Sequence, residues 1–406
     1  MCNELKINIV GLGYIGFPTA LMISNEGYLV VGTDCNRELV DALKNGNKEF
    51  QEDGIKELYD QARSHGISFE YSCVKADVYI VAVPTPYDKE QKKINPEYVI
   101  NAVKGVTEVA PDGAIIAIES TIAPGTIDKY IRPFIPEHRN IEIAHVPERI
   151  IPGRIIGELK TNSRTIGADN KKTAMLLKRI YSTFCEGEII TTDIKTAEMT
   201  KVVENTYRDI NIAFANELMK ICKQAGLDIY EIIKIANKHP RVNILTPGPG
   251  VGGHCISVDP WFLVGEYPGL ANIILAARKI NDSMPEFVLN RLYEVMETKK
   301  IYDISKVGFY GLTYKEDVDD VRESPALQLI DCMKKHIAFG ANFYDPFVKE
   351  KIVDGQILDF NEFLSKVDIV VVMVGHKHII ESQLKLNNKI VIDTKNVLDI
   401  SDVYHL

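Results

Sequence analysis

Residues 6–34 read KINIVGLGYIGFPTALMISNEGYLVVGTD, and this stretch decides the fold of the first part of the chain. A β-branched run leads into the pattern GxGxxG at Gly11, Gly13 and Gly16, and a second such run ends at Asp34. Gly11 allows the tight turn after the strand, and Gly13 lets a pyrophosphate approach the backbone. Gly16 lets the helix pack on the sheet, and Asp34 suits the ribose hydroxyls. The stretch therefore predicts a strand–turn–helix–strand unit that binds a dinucleotide.

The acidic residue at the end of the second run indicates which dinucleotide is bound. A carboxylate at Asp34 repels the 2′-phosphate of NADP and accepts hydrogen bonds from the free ribose of NAD. Arg37 lies three positions further on and would suit that phosphate, so NADP stays an alternative. NAD is the predicted cofactor.

Short β-branched runs alternate with amphipathic stretches over the first half of the chain. The runs are INIVG, LVVGTD, DVYIVAV, AIIAIES, IEIAHV and EIITT. Such alternation is typical of a parallel sheet with helices on both faces. We expect residues 1–195 to form a NAD-binding Rossmann domain.

A long helix is predicted next. The sequence from Thr196 contains no Pro or Gly before Gly226 and keeps apolar residues at helical spacing. More helical sequence follows, interrupted by a Pro- and Gly-rich stretch from Thr246 to His254. We expect residues 196–300 to form a helical middle domain with one long central helix.

Strand-like runs return in residues 301–406 as KVGFYGL, ANFYDP, DIVVVMVG and KIVIDTK. KVGFYGL repeats the plan of KINIVGLG, and VDIVVVMVGH repeats that of ADVYIVAVPT. The predicted fold class is therefore α/β, with two doubly wound Rossmann-like domains joined by the helical middle domain.

The bulk composition excludes several classes of protein. Of 406 residues, 46% are hydrophobic and 25% are charged, and the net charge is −9. Acidic and basic residues are interspersed, which argues against a nucleic-acid partner. No apolar run approaches the roughly 20 residues that cross a bilayer, and the first residues lack a signal-peptide pattern. We expect a cytoplasmic protein without membrane insertion.

Cys255 has a context that sets it apart from the other cysteines. It follows two glycines at the end of the Pro- and Gly-rich stretch, where a substrate can approach a thiol, and His254 beside it would favour the thiolate. The alternative is a small hydrophobic side chain without chemistry. The odd number and scattered spacing of the cysteines predict neither disulfides nor a metal site; they are Cys2, Cys35, Cys73, Cys185, Cys222, Cys255 and Cys332.

The predicted long helix carries Lys201 and Asn205 four residues apart and therefore on one face. A lysine and an amide on a shared face can orient water or polarise a developing oxyanion. The alternative is a solvated surface stripe. Arg208, Asp209 and Asn216 lie near the same face, without a clear role.

Polar residues also follow predicted strands. Thr121 comes after AIIAIES, and Glu148 comes after IEIAHV. Ligands bind at the carboxyl ends of strands in open α/β sheets, so both residues are candidates for contact with cofactor or substrate. The alternatives are a helix cap for Thr121 and a solvated acid for Glu148.

The segment GLTYKEDVDDVRESPA follows strand KVGFY, where a phosphate-binding turn would lie, but it lacks the GxGxxG glycines. Lys315 and Arg322 bring positive charge instead, and a helix is expected to begin near Ser324. These groups would suit a second anion such as a nucleotide diphosphate. A solvated charged face is the alternative.

Seven motifs, in this order, resemble those of the UDP-glucose/GDP-mannose dehydrogenase family over essentially the whole chain. They are GLGYIG, VPTP, ESTIAPGT, the pair Pro147–Glu148, KVVENTYRDINIAFANE, GPGVGGHCISVDP and GLTYKEDVDDVRESPA. The resemblance implies an NAD-dependent dehydrogenase of nucleotide sugars. It also implies that Cys255 is the nucleophile, that Asp259 assists it, and that Lys201 with Asn205 holds an oxyanion.

The family's reaction, carried over by this resemblance, consists of two successive hydride transfers from one carbon to two NAD molecules. The second transfer requires a covalent hemithioacetal, which becomes a thioester that water hydrolyses. Thr121 and Glu148 would position or activate that water.

The resemblance also assigns binding residues. Those expected to contact NAD are Gly11, Gly13, Tyr14, Ile15, Gly16, Asp34, Arg37, Thr85, Thr121 and Arg322. Those expected to contact the UDP-sugar are Glu148, Arg149, Ile150, Lys201, Asn205, Arg208, Arg241, Gly252, Lys315 and Lys395. Arg241 falls near a position that reaches a neighbouring subunit's substrate, so the resemblance implies a homodimer joined through the long helix, or a higher homo-oligomer.

Two segments resemble the UDP-N-acetylmannosamine branch of this family. In the UDP-glucose branch an FLREG-like run with a second glutamate follows Pro-Glu, whereas this chain continues with Arg149 and has no glutamate before Glu158. The runs PERIIPGR and HPRVNILTPGPGVGGHC also resemble the N-acetylmannosamine branch. The predicted substrate is UDP-N-acetyl-D-mannosamine, with UDP-N-acetylglucosamine, its galacto epimer and UDP-glucose as alternatives.

Two other functions fit parts of the pattern. A two-electron 2-hydroxyacid dehydrogenase would use the helix-borne lysine and asparagine, but it needs neither Cys255 nor a second nucleotide domain. A non-catalytic nucleotide sensor would keep the fold, but it does not need Cys255, Lys201 and Asn205 together.

Overall fold

The computed structural model describes residues 3–46, 52–88, 93–136, 138–150, 153–253, 255–336, 338–401 and 403–406. The chain divides into two units, Met1–Glu204 and Asn205–Leu406. The division into three domains at 1–195, 196–300 and 301–406 stays a prediction. No helix in the described ranges has the length and apolar character that a membrane span requires.

An eight-stranded sheet forms the centre of the first unit, in the order β10-β9-β8-β7-β4-β1-β2-β3. Its strands are β1 (Asn3–Val10), β2 (Tyr28–Thr33), β3 (Ser68–Glu70), β4 (Val78–Val81), β7 (Ile115–Ile118), β8 (Glu142–His145), β9 (Arg164–Ala168) and β10 (Ile189–Thr192). A separate two-stranded ladder joins β5 (Tyr87–Asp88) and β6 (Lys93–Ile94). The strand order reverses between β1 and β4, and such a switch point is where doubly wound sheets bind ligands.

One pair of strands in this sheet departs from the predicted parallel arrangement. β8 and β9 are antiparallel, with Ala144 opposite Ala168 and His145 opposite Gly167, whereas the other strand pairs of the sheet are parallel. The sequence of β9, RTIGA, was not among the predicted strands because an arginine and a glycine interrupt its apolar pattern. The reversal brings the start of β9 next to the end of β8.

Helices of the first unit cover the faces of the sheet. They are α1 (Gly16–Asn25), α2 (Arg37–Lys44), α3 (Ile55–Ser64), α4 (Glu97–Val109), α5 (Ile155–Thr161) and α6 (Lys171–Tyr181). α1 is buried along almost its whole length, in keeping with its central place beside β1. Apolar side chains from α1, α2, α3, α5 and α6 and from strands such as β1, β4 and β7 form one continuous core.

The predicted long helix is confirmed as α7 (Ile194–Ala225), which crosses the boundary between the two units. Asp193 caps its first turn by accepting hydrogen bonds from Thr196 N at 2.9 Å and from Thr196 Oγ1 at 2.6 Å. The helix ends where Gly226 takes φ +67°, a left-handed conformation that glycine adopts at little cost. The absence of Pro and Gly between these ends explains its length.

The second unit continues from α7 with further helices and a five-stranded parallel sheet. Its helices are α8 (Ile229–Ala236), α9 (Asp259–Glu266), α10 (Asn272–Asp282), α11 (Met284–Lys299), α12 (Pro325–Lys335), α13 (Phe360–Lys366) and α14 (Lys377–Glu381). Its strands are β11 (Val307–Tyr310), β12 (Asn342–Tyr344), β13 (Ile369–Val372), β14 (Ile390–Asp393) and β15 (Val403–His405). The order β12-β11-β13-β14-β15 is again doubly wound, with its switch point between β11 and β13. The predicted α/β class is confirmed.

Candidate active site

The turn after β1 has the shape that a dinucleotide pyrophosphate requires. Gly11 takes φ +94°, and a Cβ there would lie 2.6 Å from the carbonyl oxygen of Ala82. A Cβ on Gly16 would lie 1.9 Å from the carbonyl oxygen of Gly11, so the helix can begin this close to the turn only with glycine. A Cβ on Gly13 would meet nothing within 4 Å. Gly13 is exposed and leaves open space above the backbone, which fits the close approach of NAD.

Asp34 closes the same turn from the end of β2. One carboxylate oxygen accepts a hydrogen bond from Leu12 N at 2.8 Å, and the other accepts one from Asn36 N at 2.8 Å. The side chain is only half-buried, so lone pairs stay accessible to ribose hydroxyls. Arg37 is exposed, with its guanidinium 5.6 Å from the ring centroid of Tyr71.

The other residues of the first unit that are expected to contact NAD lie around this turn and at the ends of nearby strands. Tyr14 is exposed and Ile15 is half-buried, both directly before α1. Thr85 is buried beyond the carboxyl end of β4, and Thr121 is half-buried beyond that of β7. These positions border the switch point between β1 and β4, where the fold predicts the cofactor.

Glu148 lies in a buried charged cluster rather than on a solvated loop. Its Oε2 is 2.5 Å from Arg164 Nη2, and its Oε1 accepts a hydrogen bond from Arg149 N at 2.7 Å. Arg164 also donates to Glu119 Oε1 at 3.0 Å, and Tyr181 donates to the same oxygen at 3.2 Å. The sequence interpretation included Glu148 but missed Glu119, Arg164 and Tyr181.

The first turns of α7 hold the loops that carry Thr121 and Arg149. Glu198 accepts hydrogen bonds from Gly125 N at 2.6 Å and Ile127 N at 2.9 Å. Glu204 pairs with both Nε and Nη2 of Arg149, at 2.8 Å and 2.7 Å.

Lys201 lies on the same helix, between Glu198 and Glu204 in the sequence. It is only 6% exposed, and it makes no ion pair with any residue that the structure describes. A buried ammonium without a fixed partner suits an anionic ligand.

The second unit brings three other predicted catalytic residues together. Asn205 Nδ2 donates to Asp259 Oδ2 at 2.6 Å, and both side chains are buried. The carbonyl oxygen of Cys255 accepts hydrogen bonds from Val258 N at 3.1 Å and Asp259 N at 2.8 Å, so a tight turn joins the thiol to α9. Cys255 itself is exposed. The exposed stripe considered for Asn205 is therefore wrong.

Close backbone packing shapes the loop in front of Cys255. A Cβ on Gly252 would lie 2.6 Å from the carbonyl oxygen of Glu323, and one on Gly253 would lie 2.8 Å from the ring of Tyr314. Gly253 N also donates to Arg322 O at 3.0 Å. Burial, with smaller contributions from Asp320 and Cys255, raises the pKa of Tyr314 to about 12. His254, which was expected to favour the thiolate, lies outside the described residues.

A buried hydrogen-bond network anchors the start of the same loop. Gly248 N donates to Asn216 Oδ1 at 2.9 Å, and Asn216 Nδ2 donates to Asn281 Oδ1 at 2.9 Å. Asn281 Nδ2 donates to Asp209 Oδ1 at 2.8 Å, and Arg278 Nη1 lies 2.6 Å from that oxygen. Asp209 and Asn216, whose roles were open in the sequence, therefore support the loop. Arg278 and Asn281 were missed because polar residues on a helix usually indicate a solvated face.

The turn after β11 repeats the turn after β1. Gly311 takes φ +97°, and Asp345 at the end of β12 accepts hydrogen bonds from Leu312 N at 2.6 Å and Phe347 N at 2.7 Å. Unlike Asp34, Asp345 is fully covered, because His376 Nε2 lies 3.2 Å from its Oδ2. Burial alone would raise the pKa of Asp345, but the hydrogen bonds from His376, Phe347 N and Leu312 N outweigh burial, so the pKa is lowered. The covered carboxylate is not available to a ribose.

A small cavity lies at the switch point of this sheet. Lys315 and Lys395 line it, each half-buried, together with Pro249, Gly250, Thr313, Tyr314, Glu316, Pro325, Ala326, Met373 and Val374. Two ammonium groups at the carboxyl ends of parallel strands suit a diphosphate.

Other predicted binding residues do not line this cavity. Arg322 is exposed and pairs with Asp320 through two nitrogens, at 2.9 Å and 2.6 Å. Arg208 and Arg241 are exposed, and Ile150 is half-buried.

Comparison with protein families matches the chain in three consecutive segments. They are the NAD binding domain of the UDP-glucose/GDP-mannose dehydrogenase family at residues 5–185, its central domain at 195–283 and its UDP binding domain at 308–400. The chain belongs to the UDP-glucose/GDP-mannose dehydrogenase family. It is an NAD-dependent nucleotide-sugar dehydrogenase, and the predicted cofactor and enzyme class are confirmed.

Similar members of the family have been named and solved. UDP-N-acetyl-D-mannosamine dehydrogenase from Methanococcus maripaludis is 45% identical over 97% of this chain and 93% of that protein. The solved UDP-N-acetyl-mannosamine dehydrogenase from S. aureus is 39% identical, with a TM-score of 0.89 over 98% of each chain. The solved UDP-D-ManNAc dehydrogenase from Pyrococcus horikoshii is 34% identical, with a TM-score of 0.90 over 99% of each chain.

Proposed function

We propose that this chain is a UDP-N-acetyl-D-mannosamine 6-dehydrogenase, which oxidises the C6 alcohol to a carboxylate with two molecules of NAD+. The observation that carries the chemistry is the exposed Cys255 thiol on a turn tied to the buried Asn205–Asp259 pair. The names of the similar dehydrogenases and the run PERIIPGR support the choice of sugar.

The reaction divides into two oxidations at one carbon and a hydrolysis. Bound NAD+ supplies the hydride acceptor, and Gly13, Asp34 and Thr85 would hold it at the switch point of the first sheet. The first oxidation removes a hydride from C6 and releases the hydroxyl proton, which leaves an aldehyde. Lys315 and Lys395 would hold the diphosphate of the UDP-sugar through both oxidations.

Cys255 makes the second oxidation possible because the aldehyde carbon carries no oxyanion, and the electrons of an oxyanion are needed to drive the departure of a hydride. The thiolate Sγ adds to C6, and the carbonyl electrons move onto oxygen as the C–S bond forms. Lys201 and Asn205 would hold this oxyanion. The amide of Asn205 donates one hydrogen to Asp259, which fixes its orientation and leaves its second hydrogen for substrate.

Loss of a second hydride from C6 leaves a thioester on Cys255, which water must hydrolyse. Water oxygen bonds to C6, the C–S bond breaks, and the thiol and the sugar carboxylate are released with a proton. Thr121 and Glu148 would position this water. Glu148 suits the task because Arg149 N and Arg164 fix its carboxylate without using all of its lone pairs.

A panel of UDP-sugars, each scored by NADH release, tests the proposed substrate. We expect UDP-N-acetylmannosamine to be turned over at least about 10-fold more efficiently than UDP-N-acetylglucosamine, its galacto epimer or UDP-glucose, since a pocket built around one epimer leaves groups unpaired with another. Two NADH should form per sugar consumed. Preference for UDP-glucose over every N-acetyl sugar would contradict the branch assignment.

Two further outcomes of the same panel distinguish the rival functions. One NADH per sugar would indicate a two-electron dehydrogenase, which needs no thioester. Binding of a UDP-sugar with no NADH from any member of the panel would indicate a sensor that lacks catalysis.

We further propose a homodimer joined through α7, because this helix exposes apolar side chains at intervals of seven residues. Tyr207 is 67% exposed, Phe214 49% and Ile221 56%. Such spacing keeps the three side chains on one stripe, which is the pattern of helix association. Arg241, exposed after α8, would then be placed to reach the neighbouring subunit's substrate.

Phe214→Glu tests the dimer, since a charge on the stripe would have to be buried against a partner helix. Light scattering should give half the mass of the unsubstituted protein. Phe339→Glu is the matched control, because Phe339 is 64% exposed and lies outside α7. An unchanged mass in Phe214→Glu, or the same loss in both variants, would overturn the proposed interface.

A further inference from the structure

The buried guanidinium of Arg164 joins two carboxylates that end neighbouring strands of the first sheet. Its Nη1 donates to Glu119 Oε1 at 3.0 Å, beyond β7, and its Nη2 lies 2.5 Å from Glu148 Oε2, beyond β8. We propose that Arg164 is a positioning residue that fixes the Glu148 carboxylate for hydrolysis of the Cys255 thioester. This inference rests on the proposed function, in which Glu148 positions the water.

The reversed direction of β9 is what places Arg164 there. Ala144 of β8 faces Ala168 of β9, and His145 faces Gly167. Continuing this antiparallel register puts Glu148 opposite Arg164. A parallel β9 would carry its first residue to the other edge of the sheet, far from the carboxyl end of β8. The antiparallel pairing of β8 and β9 therefore places the Arg164 side chain beside Glu148.

Aromatic packing holds the guanidinium in this orientation. It lies 4.4 Å from the ring centroid of Tyr181 and 5.9 Å from that of Phe184. Tyr181 also donates its hydroxyl to Glu119 Oε1 at 3.2 Å. Arg164 is 3% exposed, so neither water nor rotation can release it easily from Glu148.

The charges of the cluster favour the Arg164–Glu148 pair over the Arg164–Glu119 pair. One cation faces two buried carboxylates. If both carboxylates were ionised, one negative charge in the interior would stay uncompensated, which is costly. Burial raises the pKa of Glu119 well above its ordinary value, Glu148 adds to the rise, and Arg164 only partly offsets it. Neither Glu119 Oε2 nor Glu148 Oε2 has a hydrogen-bond partner among the described residues, and Glu148 Oε2 is held by its ion pair with Arg164 Nη2. A protonated Glu119 leaves the charge of Arg164 matched to Glu148.

Arg164→Lys tests the proposal, because lysine keeps the charge but cannot bridge two carboxylates in a fixed plane. Rapid mixing with NAD+ and the preferred UDP-sugar should give a fast burst of NADH, followed by a steady state slowed about 10- to 100-fold by hydrolysis. The thioester should then accumulate on Cys255 and appear as a mass increase in acid-quenched protein. The burst amplitude counts folded, competent sites, so any misfolded fraction does not affect the hydrolysis rate per site.

A double-mutant cycle separates positioning from a merely structural role. Glu148→Gln alone should show the same burst and slow hydrolysis, and adding Arg164→Lys to it should slow the steady state no further. If the steady-state rate of the double variant fell by the product of the two single effects, the proposal would be overturned, because Arg164 would then act independently of Glu148. Full hydrolysis in Glu148→Gln would instead remove Glu148 from the proposed mechanism, whatever Arg164 does.

Two more variants complete the test. Phe184→Leu removes one ring beside the guanidinium but keeps its charge, and it should slow the same step by a smaller factor. Arg132→Lys is the matched control, since Arg132 also joins two carboxylates, Asp128 at 2.7 Å and Asp169 at 2.6 Å, but on the surface. It should hydrolyse at the unsubstituted rate. Unchanged hydrolysis in both Arg164→Lys and Phe184→Leu would overturn the proposal.

Discussion

Cys255→Ser is expected to lower the rate of complete oxidation by at least about 1,000-fold, while UDP-sugar and NAD still bind. Serine keeps the size of the side chain, so the turn from Cys255 to Asp259 and the Asn205–Asp259 hydrogen bond should persist. A hydroxyl is much harder to ionise than a thiol, and an ester is hydrolysed more slowly than a thioester. The covalent steps should therefore fail, although the fold does not change.

The measurement is NADH formed per site with the sugar in excess, together with the sugar product identified by mass. Cys332→Ser is the matched control. Cys332 is half-buried on α12, and burial raises the pKa of its thiol, which opposes the reactive thiolate. The control should turn over like the unsubstituted chain. Release of the uronic acid by Cys255→Ser at an ordinary rate would remove Cys255 from the mechanism.

The sequence was sufficient for the features that local patterns encode. The GxGxxG turn, the long helix free of Pro and Gly, and the second doubly wound unit all depend on spacing within short segments. Cys255, Asn205 and Asp259 were candidates from residue type and resemblance. The hydrogen bond between Asn205 and Asp259 links positions 54 apart, and no local pattern indicates such a pair.

The features that the sequence missed all depend on tertiary pairing. β9 carries Arg164 into a buried position, which its local sequence alone disfavours, because two carboxylates and two aromatic rings surround the guanidinium. Arg278 and Asn281 are polar residues of a helix, where such residues usually face solvent, yet both are buried against Asp209. In each case a partner far along the chain offsets the cost of burial.

The two similar turns present different groups to a ligand. Gly11 and Gly311 share a left-handed conformation, and Asp34 and Asp345 each accept a backbone hydrogen bond from the residue after that glycine. The KVGFYGL repeat in the sequence indicated this kinship. It did not indicate that His376 covers Asp345, and because of this cover the second turn does not offer a carboxylate to a ribose.

Gly16→Ala is expected to destabilise the first unit by about 3 kcal/mol or more and to abolish NAD binding. The added Cβ would lie 1.9 Å from the carbonyl oxygen of Gly11 and 3.1 Å from the Cβ of Ala82. The nearest of these atoms belongs to the backbone, so relief requires α1 to move away from the strands it packs on. α1 is buried in the core, and such a movement would separate apolar contacts along its length.

Gly13→Ala distinguishes this effect on the fold from an effect on the cofactor. Its Cβ would meet nothing within 4 Å, so thermal unfolding should hardly change, yet the methyl group would stand where the pyrophosphate approaches. NAD titration should therefore show weaker binding in a protein that is fully folded. Gly157→Ala, exposed in α5 with nothing within 4 Å, should bind NAD normally and gain up to about 1 kcal/mol in stability. If Gly16→Ala and Gly13→Ala were equally stable, the close packing of α1 on the turn would be contradicted. If Gly13→Ala bound NAD with normal affinity, the placement of the pyrophosphate above Gly13 would be contradicted.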